Sequence, residues 1–152
     1  MKHLLILIFV ASALTGCIRE AFQPPRPDFL VWTAPGKSVL DVKKKLLECG
    51  MPEPSGRDYQ TLGRNAQLSI SFCMVRAGFH SETDYLMCTR ETDRILAICA
   101  PGAEISKPSV NRRLNSPYCK SRMDYQYCRR NALYPDGCDN IEYVPPAPEC
   151  LP

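Results

Sequence analysis

Cysteine dominates the chemistry open to this chain, with nine in 152 residues. Cys49, Cys73, Cys88, Cys99, Cys119, Cys128, Cys138 and Cys150 are spread through its length, and none stands in a C-x-x-C pair. The only histidines are His3 and His80. That set suits neither a zinc site nor a dithiol redox centre, and no metal or cofactor is expected. Beside His80 stand Ser81, Glu82 and Asp84, too near in sequence to build a triad, and no G-x-S-x-G element exists. Asp84, Glu91 and Asp93 come closest to paired carboxylates, and a solvated helix face accounts for them. No catalytic residue is expected.

The remaining constellation is electrostatic. Lys107, Arg112, Arg113, Lys120, Arg122, Arg129 and Arg130 meet a single acid, Asp124, with Tyr118, Tyr125 and Tyr127 interleaved. Arginine with tyrosine is enriched at binding hot spots, and the guanidinium fork suits carboxylates and phosphates. Arg112, Arg113, Lys120, Arg122, Arg129 and Arg130, with Tyr125 and Tyr127, form a candidate anion- or partner-binding face. Scattered solvated charges are the competing explanation.

The N-terminus bears on where such a face would operate. Lys2 precedes an apolar run from Leu4 to Leu14, interrupted only by Ser12. This is the layout of a secretory signal and too short for a membrane span. The run ends in Leu14-Thr15-Gly16-Cys17, which resembles the lipobox of bacterial lipoproteins. The resemblance implies cleavage before Cys17, diacylglycerol on its thiol and a fatty acyl group such as palmitate on its amino group. Each buried methylene contributes about 0.8 kcal/mol, so several chains would hold the protein firmly on a membrane. Ile18 stands where an Asp would favour inner-membrane retention in enteric bacteria. The resemblance therefore implies the outer membrane, with the periplasmic or surface face left open. Assigning Cys17 to lipid leaves the eight cysteines above as an even set. In an exported chain this implies four disulfides, of open connectivity.

The elements that must position these groups follow from capping and periodicity. Residues 1–16 are expected as signal peptide, and 17–28, with Pro24, Pro25 and Pro27, as a semi-rigid lipidated tether. A single disulfide-stapled helical domain is expected over 29–152, with Trp32 plugging one end of its core. Ser38 caps a helix through Cys49 whose stripe is Val39, Val42, Leu46 and Cys49, widened by Leu40 and Leu47. Gly50 and Pro52 end it, and Lys43 to Lys45 read as a solvated face. Over 64–77 strand alternation (Ala66, Leu68, Ile70, Phe72) competes with a helical stripe (Ala66, Ile70, Cys73, Met74, Ala77). The Ala77-Gly78-Phe79 stop favours helix.

A single helix over 82–99 would hold Cys88 and Cys99 about 16 Å apart and forbid pairing, whereas a break near Thr89-Arg90 would permit it. Lys107 to Asn115 read as loop. Ser116-Pro117 open a helix reaching Leu133, which would aim Cys119 and Cys128 to nearly opposite sides. The tail from Pro135, rich in proline and carrying Cys138 and Cys150, reads as irregular and held by two disulfides. Asp84-Tyr85-Leu86-Met87-Cys88-Thr89-Arg90 is echoed by Asp124-Tyr125-Gln126-Tyr127-Cys128-Arg129-Arg130, with a further cysteine after each copy. Equivalent disulfide roles are expected of the two.

Two weaker resemblances follow. Residues 35–54, with the spacing Gly36-x-Ser38-x-x-Asp41-Val42-x-x-x-Leu46, resemble the opening of SmpA/OmlA-type outer-membrane assembly lipoproteins. The rest of the chain departs from them, so their function is not carried over. Cys73-Met74 with Gly78-Phe79 resembles an ending found in small cysteine-rich bacterial lipoproteins. The fold expected is mainly α, a small disulfide-rich domain with an irregular proline-rich C-terminal tail. The function expected is that of a non-enzymatic interaction or structural module of the cell envelope, touching the membrane through the lipid on Cys17. Its partner would be an envelope protein or anionic envelope component, and nucleic acid is not expected in that compartment. The alternative is a disulfide-rich inhibitor or exclusion factor against a foreign hydrolase or phage protein, using Met51–Gly63 or His80–Asp84 as its inserting loop.

Overall fold

The computed structural model describes residues 25–82, 84–143 and 147–152, without the side chains of Tyr85, Tyr125 and residues 140–143. The signal peptide, Cys17 and the tether as far as Pro24 lie outside the described residues. Among those described, five α-helices are joined by short 3-10 turns and no strand forms; one isolated antiparallel bridge pairs Thr33 with His80. The chain is mainly α, as its patterning predicts.

Helix α1, Val39–Glu48, sits between two packed regions. Ser38 Oγ accepts from Asp41 N–H at 3.2 Å while Asp41 Oδ2 accepts from Ser38 N–H at 2.8 Å, a reciprocal cap of its first turn. At the other end Gly50 takes φ +102°, so that its N–H reaches Leu47 O and that of Met51 reaches Leu46 O. Burial begins one turn in, at Val42; Val39 and Leu40, expected on the buried stripe, are exposed because the packed regions meet α1 beyond its first turn. The lysines also differ from expectation. Lys43 lies over the Phe29 ring and 3.7 Å from Glu149, and Lys45 pairs with Glu48.

Helix α2, Arg64–Arg76, settles the ambiguity of its segment in favour of helix. Ile70, Cys73 and Met74 are buried with Leu68, while Ala66 is exposed. Burial of both Leu68 and Ile70 is what gave the sequence its strand-like alternation. Gly78 (φ +84°) closes the helix and drops Phe79 into the core. The core comprises Trp32, Val42, Leu46, Met51, Ile70, Met74 and Phe79, crossed by the Cys49–Cys73 disulfide. Each large apolar side chain so buried contributes about 1.5–3 kcal/mol.

The segment 82–99 is not one helix. It forms 3-10 turns at Asp84–Leu86, Glu91–Asp93 and Ala97–Cys99, and Cys88 and Cys99 pair with Cα atoms 5.6 Å apart. Cys88 lies in the left-handed region (φ +59°) and Arg90 is extended, which breaks the chain where pairing requires it. Asp93 is buried, held by Arg64 Nε and Nη2 at 2.9 and 2.8 Å, and Asn65 Oδ1 accepts from Ile98 N–H. The solvated-face reading of Asp93 is thus corrected: the arginine on α2 draws it inward.

Residues 107–115, expected as loop, contain helix α3, Val110–Leu114, capped by Ser109 Oγ. The long helix expected to Leu133 is two, α4 (Pro117–Met123) and α5 (Tyr125–Asn131). Asp124 separates them: its backbone (φ −122°, ψ 103°) leaves helical space and its carboxylate accepts from Tyr127 N–H. Cys119 pairs with Cys150 and Cys128 with Cys138, so both cysteines fasten the tail. The tail is more regular than expected, with 3-10 structure at Pro135–Tyr143 and Pro148–Cys150. Of the two echoed motifs, each cysteine pairs locally, with the cysteine eleven or ten residues on. The first lies in 3-10 turns and the second in an α-helix.

Candidate functional site

The basic residues picked out by composition divide into two groups. Arg113 is buried at 2% exposure and is a structural clamp. Its Nη1 donates to the carbonyls of Glu149 and Leu151, fixing the C-terminal residues. Its Nε lies 3.3 Å from Glu48 Oε1 but off a hydrogen-bonding line, so that contact is ionic. Arg112 Nη1 donates to the carbonyls of Glu48 and Lys107, at 2.8 and 3.3 Å, tying α3 to the end of α1. The Arg113 guanidinium is closed to any ligand, whereas Arg112 is half-buried and borders a shallow cavity with Leu47, Gly50 and Pro52. Lys107 is exposed, away from any ion pair among the described residues.

The second group lies on α4 and α5. Arg122 stacks its guanidinium 4.4 Å from the Tyr118 ring centre, and Lys120 Nζ is 5.8 Å from that of Tyr127. Arg129 is drawn to the tail acids Asp136 and Asp139, at 3.3 and 3.6 Å. Arg130 Nε donates to Gln126 O on its own helix. The side chain of Tyr125 lies outside the described residues.

Tyr118, Arg122 and Tyr127 share the wall of an open groove of about 670 Å³. The loop carrying Pro52, Glu53, Arg57 and Asp58 lines it too, and Leu133 and Ala147 also border it. Composition gave no hint of Glu53, Arg57 or Asp58, since they lie some sixty residues away in the chain. Glu53 is engaged with Ser55 Oγ, at 2.6 Å. Among the described residues neither Arg57, Asp58 nor Arg122 makes an ion pair.

Beneath the groove, Tyr118 O–H donates to Glu149 Oε1 at 2.6 Å. Burial, and then this bond to a carboxylate, push the Tyr118 hydroxyl up to about 12. Burial opposes ionisation of Glu149, but the Tyr118 hydroxyl, with Lys43 and Arg122 nearby, outweighs it and lowers its pKa. Tyr118 therefore presents its ring to the groove, with its hydroxyl already engaged.

Elsewhere, His80 is exposed and its Nδ1 lies 3.1 Å from Asp84 Oδ2, a surface pair. The loop 51–63 is anchored inward through Met51, Pro54, Tyr59 and Leu62, while Arg57, Asp58, Gln60 and Thr61 are exposed. All eight cysteines that the parity argument assigned to disulfides are paired. No group of three or more His, Cys, Asp or Glu is set to hold a metal among the described residues, and no helix there is long and apolar enough to cross a membrane. Compared with protein-family models, curated proteins and solved structures, the chain matches none of them.

Proposed function

We propose that the protein is a lipid-anchored module of the bacterial outer membrane whose stapled body binds an envelope component without catalysing a reaction. The address rests on Leu14-Thr15-Gly16-Cys17 closing an apolar run, with the prolines after it. The observation that carries the binding role is the groove, lined by Arg57, Tyr127 and an Arg122 laid on the Tyr118 ring, with neither arginine in an ion pair among the described residues. Other charged side chains serve the fold instead, Asp93 holding Arg64 and Glu48 holding Arg113. Labelling cells with a palmitate analogue tests the anchor: Cys17→Ala should abolish the label, and persistent labelling would refute it. Crosslinking in native envelopes tests the module. Arg122→Glu should remove the crosslinked partner, and an unchanged crosslink would exclude the groove.

One observation favours inhibition of a foreign hydrolase instead. Ile95 is 87% exposed at the tip of the loop closed by Cys88–Cys99 and anchored by Asp93 and Ile98. A braced loop holding an apolar side chain in water suits insertion into a cleft. Under this reading Ile95→Asp would abolish inhibition of a lysozyme or phage hydrolase while Arg122→Glu would leave it intact.

A further inference from the structure

We infer that the groove takes a carboxylate-bearing glycopeptide, the chemistry of a peptidoglycan fragment. The inference rests on the groove being the contact site proposed above, and names its ligand. A cavity of about 670 Å³ is of the size that holds a small molecule. Its lining is neither the apolar trough that a partner helix requires nor the uniformly basic track that a polyanion requires. Arg57 and Arg122 both line it and neither forms an ion pair among the described residues, Glu149 lying near Arg122 without pairing to it; Asp58, next to Arg57 in the chain, forms none either. A ligand that satisfies this set carries carboxylates for the two guanidiniums and an ammonium or hydroxyl for Asp58.

The rings add the second requirement. Tyr118 has its hydroxyl bound to Glu149, its ring under Arg122 and packed on the Leu47 cluster, so the aromatic surface left for a ligand is that of Tyr127, which lines the same groove. Stacking on Tyr118 holds the Arg122 plane while leaving its edge N–H groups free to form a fork with a carboxylate. A sugar ring presents C–H groups to an aromatic face, and a stem peptide presents carboxylates and an amine. The lining is fixed before the ligand arrives. α4 is tied to the tail by Cys119–Cys150, α5 by Cys128–Cys138, and the loop 51–63 is anchored through Met51 and Pro54. Little ordering is then left for binding to impose.

The test is titration of the oxidised mature chain, followed by calorimetry and backbone NMR, with three probes: a disaccharide-tripeptide muropeptide, the free stem tripeptide and neutral chitotetraose. The muropeptide should bind and shift resonances of residues 53–58 and 118–127. Arg57→Glu and Arg122→Glu should each weaken it at least about tenfold, the scale of a charge-assisted hydrogen bond. Arg94→Glu, on the far loop, should leave it unchanged. Intact mass and circular dichroism show that each variant is folded with its disulfides formed. Binding of the free tripeptide assigns the carboxylates to the stem, and its failure beside a binding muropeptide assigns a share to the sugar; both outcomes uphold the inference. Chitotetraose binding as tightly as muropeptide, muropeptide binding indifferent to both arginines, or no binding at millimolar concentration would overturn it. If muropeptide does not bind while Arg122→Glu still abolishes the envelope crosslink, the ligand assignment falls and the module reading stands. If the crosslink also survives, both fall.

Discussion

Arg113 and Tyr118 show how single side chains couple the tail to the body. Removing the Arg113 side chain leaves Glu48 facing a buried void and two C-terminal carbonyls without their donor. Glu48 keeps Lys45 as a partner, so the loss is that of the buried charged hydrogen bonds to the tail, about 1.5–3 kcal/mol, and Arg113→Ala should show it in urea denaturation. An effect below about 1 kcal/mol would mean that water replaces the guanidinium. Tyr118 governs the alkaline limb of stability. Its pKa is raised in the fold, so in the unfolded chain the phenol ionises first, near the ordinary tyrosine value of about 10. The stabilisation it provides is complete below that pH and is lost as pH rises toward about 12. Glu149 acts in the opposite direction: its lowered pKa stabilises the fold above the ordinary carboxylate range and ceases to do so as pH falls through it. In Tyr118→Phe the alkaline decline should be smaller, and the most alkaline step in a phenolate absorbance titration should disappear. An unchanged titration would assign that step to another tyrosine.

At the scale of elements, Asp124 is the residue on which the groove wall depends. It ends α4, caps α5 and so sets the angle at which Arg122 and Tyr127 face the same space. Asp124→Ala removes the cap and allows the two short helices to run together. The expected cost is about 1 kcal/mol in chemical denaturation, with loss of groove binding. Stability lowered with binding intact would separate the cap from the site. Asp124 also marks how far the sequence was readable. Ser38, Ser116, Gly50 and Gly78 announced helix ends correctly because each side chain, or its lack, acts on its own backbone. Asp124 carries the same type of signal, but it lies inside a pattern of helix-forming residues on both sides, which masks it. Ser109 announces α3 as well, though five residues make too short a pattern to notice. The basic face was legible as composition only. Whether a guanidinium turns inward, as Arg113 does, or lines a groove, as Arg122 does, depends on Glu48 and Glu149 from distant parts of the chain. Disulfide number was likewise readable from parity, while the pairing was not, because the break at Cys88 and the path of the tail are tertiary facts.

The whole molecule is a small core secured by four crosslinks of two kinds. Cys49–Cys73 and Cys119–Cys150 close 24 and 31 residues and are buried, one crossing the core and the other packing against Leu47. Cys88–Cys99 and Cys128–Cys138 close 11 and 10 residues, and Cys88 and Cys99 are partly exposed. By chain entropy the long pair should contribute about 3.5 kcal/mol each and the short pair about 2.7 kcal/mol each. Thiol attack requires access, so the order of reduction in the folded state follows burial. Intact mass of the folded protein should rise by about eight hydrogens on full reduction, one pair for each bridge. Under native conditions with a mild reductant, alkylation should appear first at Cys88 and Cys99, and only later at the six cysteines of the three buried bridges. Opening Cys88–Cys99 alone should leave circular dichroism and groove binding nearly unchanged, because it braces only the Ile95 loop. Opening Cys119–Cys150 should release the tail from Leu47, expose Glu149 and abolish binding. Simultaneous reduction of all four bridges, with structure lost in one step, would show that the crosslinks hold a single cooperative unit and that the local loop is no separate module.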